Sequence, residues 1–131
     1  MTNVMEIYKC EMCGNIVEVI ASGVGELVCC GAPMVLLEEK TEETLFEKHK
    51  PVIDTDGEFK KIRVGSIPHP MEDNHYIMFI EAISPDKKYL KRKYLHPHEA
   101  PELELKCQCE ELIAREYCNI HGFFITEHKS K

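Results

Sequence analysis

The chain has no tryptophan, no excess of basic charge and no apolar run approaching the roughly 20 residues of a membrane span. Its 16 Lys and Arg against 23 Asp and Glu leave a formal net charge of -7. That argues against nucleic acid as a general partner, because phosphate binding needs a basic face. It also means that an anionic substrate would be repelled at long range, so any anion site must be locally positive. Met1 to Lys9 has no basic-then-apolar stretch, so no secretory signal is expected there and the expected location is cytoplasmic. There is no internal repeat and no low-complexity tract.

What the chain does have is ligand chemistry. Seven cysteines and seven histidines in 131 residues are many. In a secreted chain the cysteines would suggest disulfides with one left over. Without an export signal, a reducing compartment and metal ligation are the expectation. Hydrophobic residues at 44% suffice for a real core, in one ordinary domain or two small ones.

Two segments follow different logic. Residues 1–37 hold four cysteines and too few apolar residues for a free-standing domain; a segment this short needs a metal, disulfides or a partner chain. Tyr8-Lys9-Cys10 leads into a turn at Cys13-Gly14, Asn15 to Ile20 is expected as a strand, and Glu26 to Cys29 as another. Residues 38–44, Glu38-Glu39-Lys40-Thr41-Glu42-Glu43-Thr44, form a charged run expected to be a solvated linker. Residues 45–131 look all-β. Pro51 to Thr55, Glu58 to Val64, His75 to Ile83, Lys88 to Leu95, Leu103 to Cys109, Glu111 to Tyr117 and Phe123 to Thr126 are strand candidates. Asp56-Gly57 is a tight-hairpin signal. His75 to Ile83 is apolar on both faces, as in a central strand. About seven short strands with regular turns predict an antiparallel sandwich of the immunoglobulin type.

Cys10-Glu11-Met12-Cys13-Gly14 has the form of a metal knuckle. Cys29 and Cys30 are adjacent, and adjacent side chains of a regular strand point to opposite faces. Both can reach one ion only if the chain turns there, and Gly31 and Pro33 are placed to turn it. A distorted tetrahedron is expected. Four thiolates suit zinc or iron, and ligand type alone does not choose between them.

A second cluster is rich in histidine. His49 precedes Pro51, His69 and His75 bracket a loop, and Cys118-Asn119-Ile120-His121-Gly122 is a Cys-x-x-His knuckle ending in glycine. A lone histidine is more often a surface or core residue than a ligand. The four pieces together point to a second centre.

Glu47-Lys48-His49, His69-Pro70-Met71 with His75-Tyr76-Ile77, and Tyr117-Cys118-Asn119-Ile120-His121-Gly122 resemble the motifs of superoxide reductases. Tyr8-Lys9-Cys10 to Cys13-Gly14-Asn15, with Glu26-Leu27-Val28-Cys29-Cys30, resembles the desulforedoxin module. Together they cover almost the whole chain in the order of the desulfoferrodoxin family, the two-iron superoxide reductases. The resemblance implies a small desulforedoxin-like domain holding iron on Cys10, Cys13, Cys29 and Cys30. It further implies a β-sandwich in which His49, His69, His75 and His121 surround a non-haem iron with Cys118 as axial thiolate. Glu47 would occupy the sixth position in the oxidised state, and Lys48 would sit near that opening. The implied activity is reduction of superoxide to hydrogen peroxide without dioxygen formation, with electrons from rubredoxin.

The chemistry suits such a site. A trans thiolate pushes electron density onto iron, as in thiolate-ligated haem. Lys48 could attract the anion and order a proton-donating water, and Lys50, Lys60, Lys61 and Arg63 could add to a local positive field. A homodimer is expected from the sparse core of the first segment. Cys107 and Cys109 match no motif of the family, and alternation predicts buried structural thiols on one face. His96, His98 and His128 are expected at the surface. The rival readings are a non-enzymatic zinc ribbon fused to a partner-binding sandwich, and a pure electron carrier.

Overall fold

The computed structural model describes residues 1–41, 50–65, 70–107 and 111–128. Among them every regular element is a strand and every pairing between strands is antiparallel. The chain divides into two compact units, Met1–Glu38 and Glu39–Lys131.

In the first unit β1 (Ile7–Lys9) lies between β2 (Ile16–Glu18) and β5 (Val35–Leu36), and β3 (Val28–Cys29) forms a hairpin with β4 (Ala32–Pro33). Strands of two or three residues show no period, which is why the sequence did not announce β1, β4 or β5. The unit's buried hydrophobic residues are few, namely Ile7, Cys10 and Val19.

The second unit is the expected antiparallel sandwich. One sheet contains β6 (Pro51–Asp56), β7 (Phe59–Val64) and β10 (Glu102–Lys106) in the order β10-β7-β6. The other contains β8 (Ile77–Ile83), β9 (Leu90–Tyr94), β11 (Leu112–Cys118) and β12 (Gly122–His128) in the order β12-β11-β8-β9. Period-2 alternation aims Ile62 and Val64 of β7 and Leu103 of β10 at Ile80, Ala82, Leu112, Ala114 and Cys118 of the facing sheet. Each large side chain buried in this way contributes about 1.5–3 kcal/mol of transfer free energy. The β6–β7 hairpin pairs Asp56 with Phe59, so its two-residue loop is Gly57-Glu58 rather than Asp56-Gly57.

Strand β8 is central and buried on both faces. Its outer face carries a buried ionic row. The register sets Glu81 opposite Arg115 of β11 and Arg92 of β9. Arg115 Nη2 lies 2.7 Å from Glu81 Oε1, and Arg92 Nε donates to Oε2 at 2.7 Å.

Three expectations change. Residues 39–41 of the stretch read as a linker lie in the second unit, where Lys40 bridges Phe124 of β12; residues 42–44 fall outside the described residues. Of the lysines and arginine expected to add a positive field, Lys61 pairs with Glu102, Arg63 pairs with Asp54 at 2.8 Å, and Lys60 donates to the Thr55 hydroxyl at 3.3 Å. Alternation turns Lys60 onto the buried face with Ile62 and Val64. Cys107 is not a buried thiol: it is partly exposed and disulfide-bonded, whereas Cys10, Cys13, Cys29, Cys30 and Cys118 are all free. Cys109 lies outside the described residues. His96 and His98 are exposed and contact Glu99 and Asp73.

Candidate metal centres

The first centre is built by two turns. Gly14 N–H donates to the Cys10 carbonyl at 2.9 Å, and the Cys13 N–H points at Cys10 Sγ at 3.4 Å. The second turn is the β3–β4 hairpin, which pairs Cys29 with Ala32 and leaves Cys30-Gly31 as its loop. Both loop residues have positive φ, 54° at Cys30 and 74° at Gly31. That is the requirement of a type I′ hairpin turn. It also solves the problem of adjacent cysteines, because a left-handed Cys30 swings its sulfur to the side of Cys29. The turn therefore uses Cys30 with Gly31, and Pro33 sits in β4.

All four sulfurs lie within 4.8 Å of one another. Cys13 Sγ is 3.5 Å from Cys29 Sγ, which is 4.0 Å from Cys30 Sγ. Sulfurs around a tetrahedral ion at about 2.3 Å stand roughly 3.8 Å apart, so the cluster fits such an ion. The thiols also compete for protons. The Cys13 backbone N–H holds Cys10 down to about 6, while hydrogen bonding with Cys13 and the other sulfurs pushes Cys30 up to about 12. A bound cation would favour the thiolate at all four positions.

The second centre lies at one end of the four-stranded sheet. Cys118 ends β11, His121 stands in the turn before β12, and His75 immediately precedes the approach to β8. Register shifts between Tyr117 and Cys118, which pair with Phe79 and Ile77. Such bulges re-aim a side chain. Cys118 joins the core cluster and is fully buried. Its Sγ is 3.8 Å from His121 Nδ1, and the rings of His75 and His121 meet edge-on with centroids 5.1 Å apart. One donor atom from each of the three lies within 4.8 Å of the others. Donors sharing one ion at about 2.0–2.3 Å stand roughly 3 to 4.5 Å apart, so this trio also fits an ion.

Of the other residues expected here, Glu47, Lys48, His49 and His69 lie outside the described residues. The sequence reading quoted Asn119 within a motif but gave it no task. The amide is a clamp: Asn119 Oδ1 accepts from Tyr76 N–H at 3.0 Å, and Nδ2 donates to the Asn74 carbonyl at 3.1 Å. It ties the turn bearing His121 to the segment bearing His75. Glu116 was missed as well. Its side chain faces the core two residues before Cys118, and neither carboxylate oxygen has a hydrogen-bond partner among the described residues. Burial pushes it well above the usual carboxylate range, so it favours the uncharged acid beside the sulfur. Burial also raises the Cys118 thiol, against the opposing pull of the His121 and Ile120 N–H groups.

Fold and donors thus define an all-β protein with a four-cysteine centre in a small first unit and a histidine–cysteine centre on a sandwich. Comparison with known proteins is more specific. The model of the desulfoferrodoxin N-terminal domain matches residues 2–37, and the desulfoferrodoxin model matches residues 40–127. This chain belongs to the desulfoferrodoxin family. A desulfoferrodoxin homolog of Archaeoglobus fulgidus is 50% identical over 95% of this chain and 98% of its own length. The superoxide reductase of Treponema pallidum shares the fold, with a TM-score of 0.73 over 92% of this chain and 96% of that one, at 23% identity. The superoxide reductase of Nanoarchaeum equitans is 30% identical, with a TM-score of 0.53 over 69% of this chain and 97% of that one.

Proposed function

We propose that this protein reduces superoxide to hydrogen peroxide without forming dioxygen, at ferrous iron held by His49, His69, His75, His121 and Cys118. The observation that carries this reading is the convergence of His75 with Cys118 and His121, from two separate segments of chain, to within 4.8 Å. Family membership and the superoxide reductases of like fold support it. Iron in this donor set would supply one-electron chemistry. The reaction takes one superoxide, one electron and two protons to one hydrogen peroxide.

The chain's own residues have defined tasks in this scheme. Cys118 offers a buried sulfur: burial raises its thiol while the His121 and Ile120 N–H groups pull the other way, and a bound cation would favour the thiolate. Asn119 keeps the two imidazole-bearing segments in register. Lys61 and Arg63 are paired to acids; Lys48 would attract the anion and order the water that delivers a proton. Glu47 would cover the opening in the oxidised state. Cys10, Cys13, Cys29 and Cys30 would hold a second iron, and a rubredoxin-like protein would deliver electrons in the cytoplasm. Ile20, Val24 and Val28 of the first unit are exposed, which favours association of two copies as a homodimer.

The test is Cys118→Ser. Superoxide reduction should be lost while the visible absorption of the four-cysteine centre persists. Wild-type rates in that variant would refute the assignment. Lys48→Ile should keep the iron and slow the second-order reaction with superoxide at low salt.

A further inference from the structure

Lys40 belongs to a charged run that reads as solvated linker, yet its surroundings are specific. Its backbone is stitched to the second unit on both sides: Lys40 N–H donates to the Phe123 carbonyl at 2.9 Å, and Ile125 N–H donates to the Lys40 carbonyl at 3.1 Å. With the backbone anchored, the side chain lies along the turn that joins Cys118 to β12. Lys40 Nζ donates to the His121 carbonyl at 2.9 Å. It stands 5.6 Å from the centroid of the Phe124 ring, within cation–π range. It also passes over Gly122, where a side chain would come within 3.4 Å of Nζ. Gly122, at φ +97°, is constrained by its backbone angle.

We infer that Lys40 is a positioning residue for the histidine–cysteine centre: it pins the Cys118–Gly122 turn through the His121 carbonyl and fixes a positive charge on that ligand-bearing turn, raising the reduction potential of iron bound there. The sign follows from electrostatics. Reduction adds an electron to the centre, and a nearby cation stabilises the more electron-rich state. Lys40 is anchored from outside the ligand-bearing segments, so its contribution is separable from the ligands themselves.

This inference rests on the proposal that His75, Cys118 and His121 hold iron, and the experiment separates the two. The protein would be purified with its iron as wild type, Lys40→Met, Lys40→Gln and Lys40→Arg. Iron per chain would be counted, and the ferric thiolate absorption that Cys118→Ser abolishes, as distinct from that of the four-cysteine centre, followed in a redox titration. Absence of any such band in the wild type sinks the iron-centre proposal. With the band present, Met and Gln at position 40 should lower the ferrous-to-ferric ratio at a fixed potential by about tenfold, equivalent to about 59 mV for one electron. Arginine, which keeps charge and donor, should stay close to wild type. Gln keeps a donor without charge, so it separates charge from tethering, and it serves if the Met variant retains no iron. A wild-type ratio in both neutral variants, or an Arg variant that falls as far as Met, overturns the role of Lys40.

Discussion

The two units solve the problem of a stable small fold in opposite ways. The first leaves Ile20, Val24, Val28, Val35 and Leu36 exposed and gathers its four cysteine sulfurs within 4.8 Å. The second buries Ile62, Ile77, Ile80, Ala114 and Phe124 almost completely and hangs its donors on one end of the finished sandwich. In the first, a bound metal would substitute for a core; in the second, the core comes first and a metal would add chemistry. The same residue types therefore carry different duties. On the proposed assignment Cys29 would be a structural pin, whereas Cys118 would be a reactive ligand set in a scaffold with its own core.

The sharpest way to break this comparison is Cys29→Ser. Loss of one thiolate from a site whose binding energy is folding energy should remove most of the first unit's order, since structural thiolate sites supply on the order of 10 kcal/mol. The sandwich should keep its melting transition. Loss of amide exchange protection confined to residues 1–38 would be the expected signature. Protection unchanged in that segment would mean that the first unit folds without its ion.

A second prediction probes the sandwich where it is least like a simple apolar core. Glu81→Ala removes the carboxylate shared by Arg115 and Arg92. Arg115 is nearly inaccessible, and a buried charge stripped of its partner costs about 3–5 kcal/mol. Arg115 also stacks over Phe123 at 5.0 Å and lies 3.8 Å from Glu39, so the lower end of that range is expected. Urea unfolding of the sandwich transition measures it. Metal content at the first centre should not change.

How much of this could be seen in the sequence depended on whether the signal was local. Alternation made β7 and β9 visible, an apolar run made β8 visible, and Cys-x-x-Cys and Cys-x-x-His made the two donor sets visible. The tight pairing of Cys29 with Cys30 was less so, because the left-handed angle at Cys30 is not written in its residue type. Strand β1 is only Ile7–Lys9, too short to show a period. The Glu81–Arg115–Arg92 row exists only once three strands are in register, and no string pattern carries register. Glu116 looked like an ordinary acid because alternation in Leu112–Cys118 is masked by a strand buried on both faces. Lys40 was hidden by its charged neighbours, and Cys107 by an alternation that correctly shared a face with Leu105 but said nothing of oxidation.

The smallest effect contrasts two turns. In the first unit the Cys30-Gly31 turn, with φ of 54° and 74°, would be held by its ion; in the sandwich the β8–β9 turn carries Lys87 at φ 61° and is held by side-chain hydrogen bonds. Ser84 Oγ donates to Asp86 Oδ1 at 2.7 Å, Lys88 N–H donates to the same oxygen at 3.1 Å, and Tyr89 N–H donates to Ser84 Oγ at 3.0 Å. The Ser84 hydroxyl, with the Lys88 N–H, holds the Asp86 carboxyl below its ordinary value of 3.8. A depressed folded-state value means that the carboxylate stabilises the fold above that ordinary value and that the contribution disappears as pH falls through the depressed one. Asp86→Asn should therefore melt slightly below wild type at pH 7, and the two curves should converge in acid. A melting difference that stays constant from pH 7 down to acid would show that this turn depends on the shape of the side chain and not on its charge.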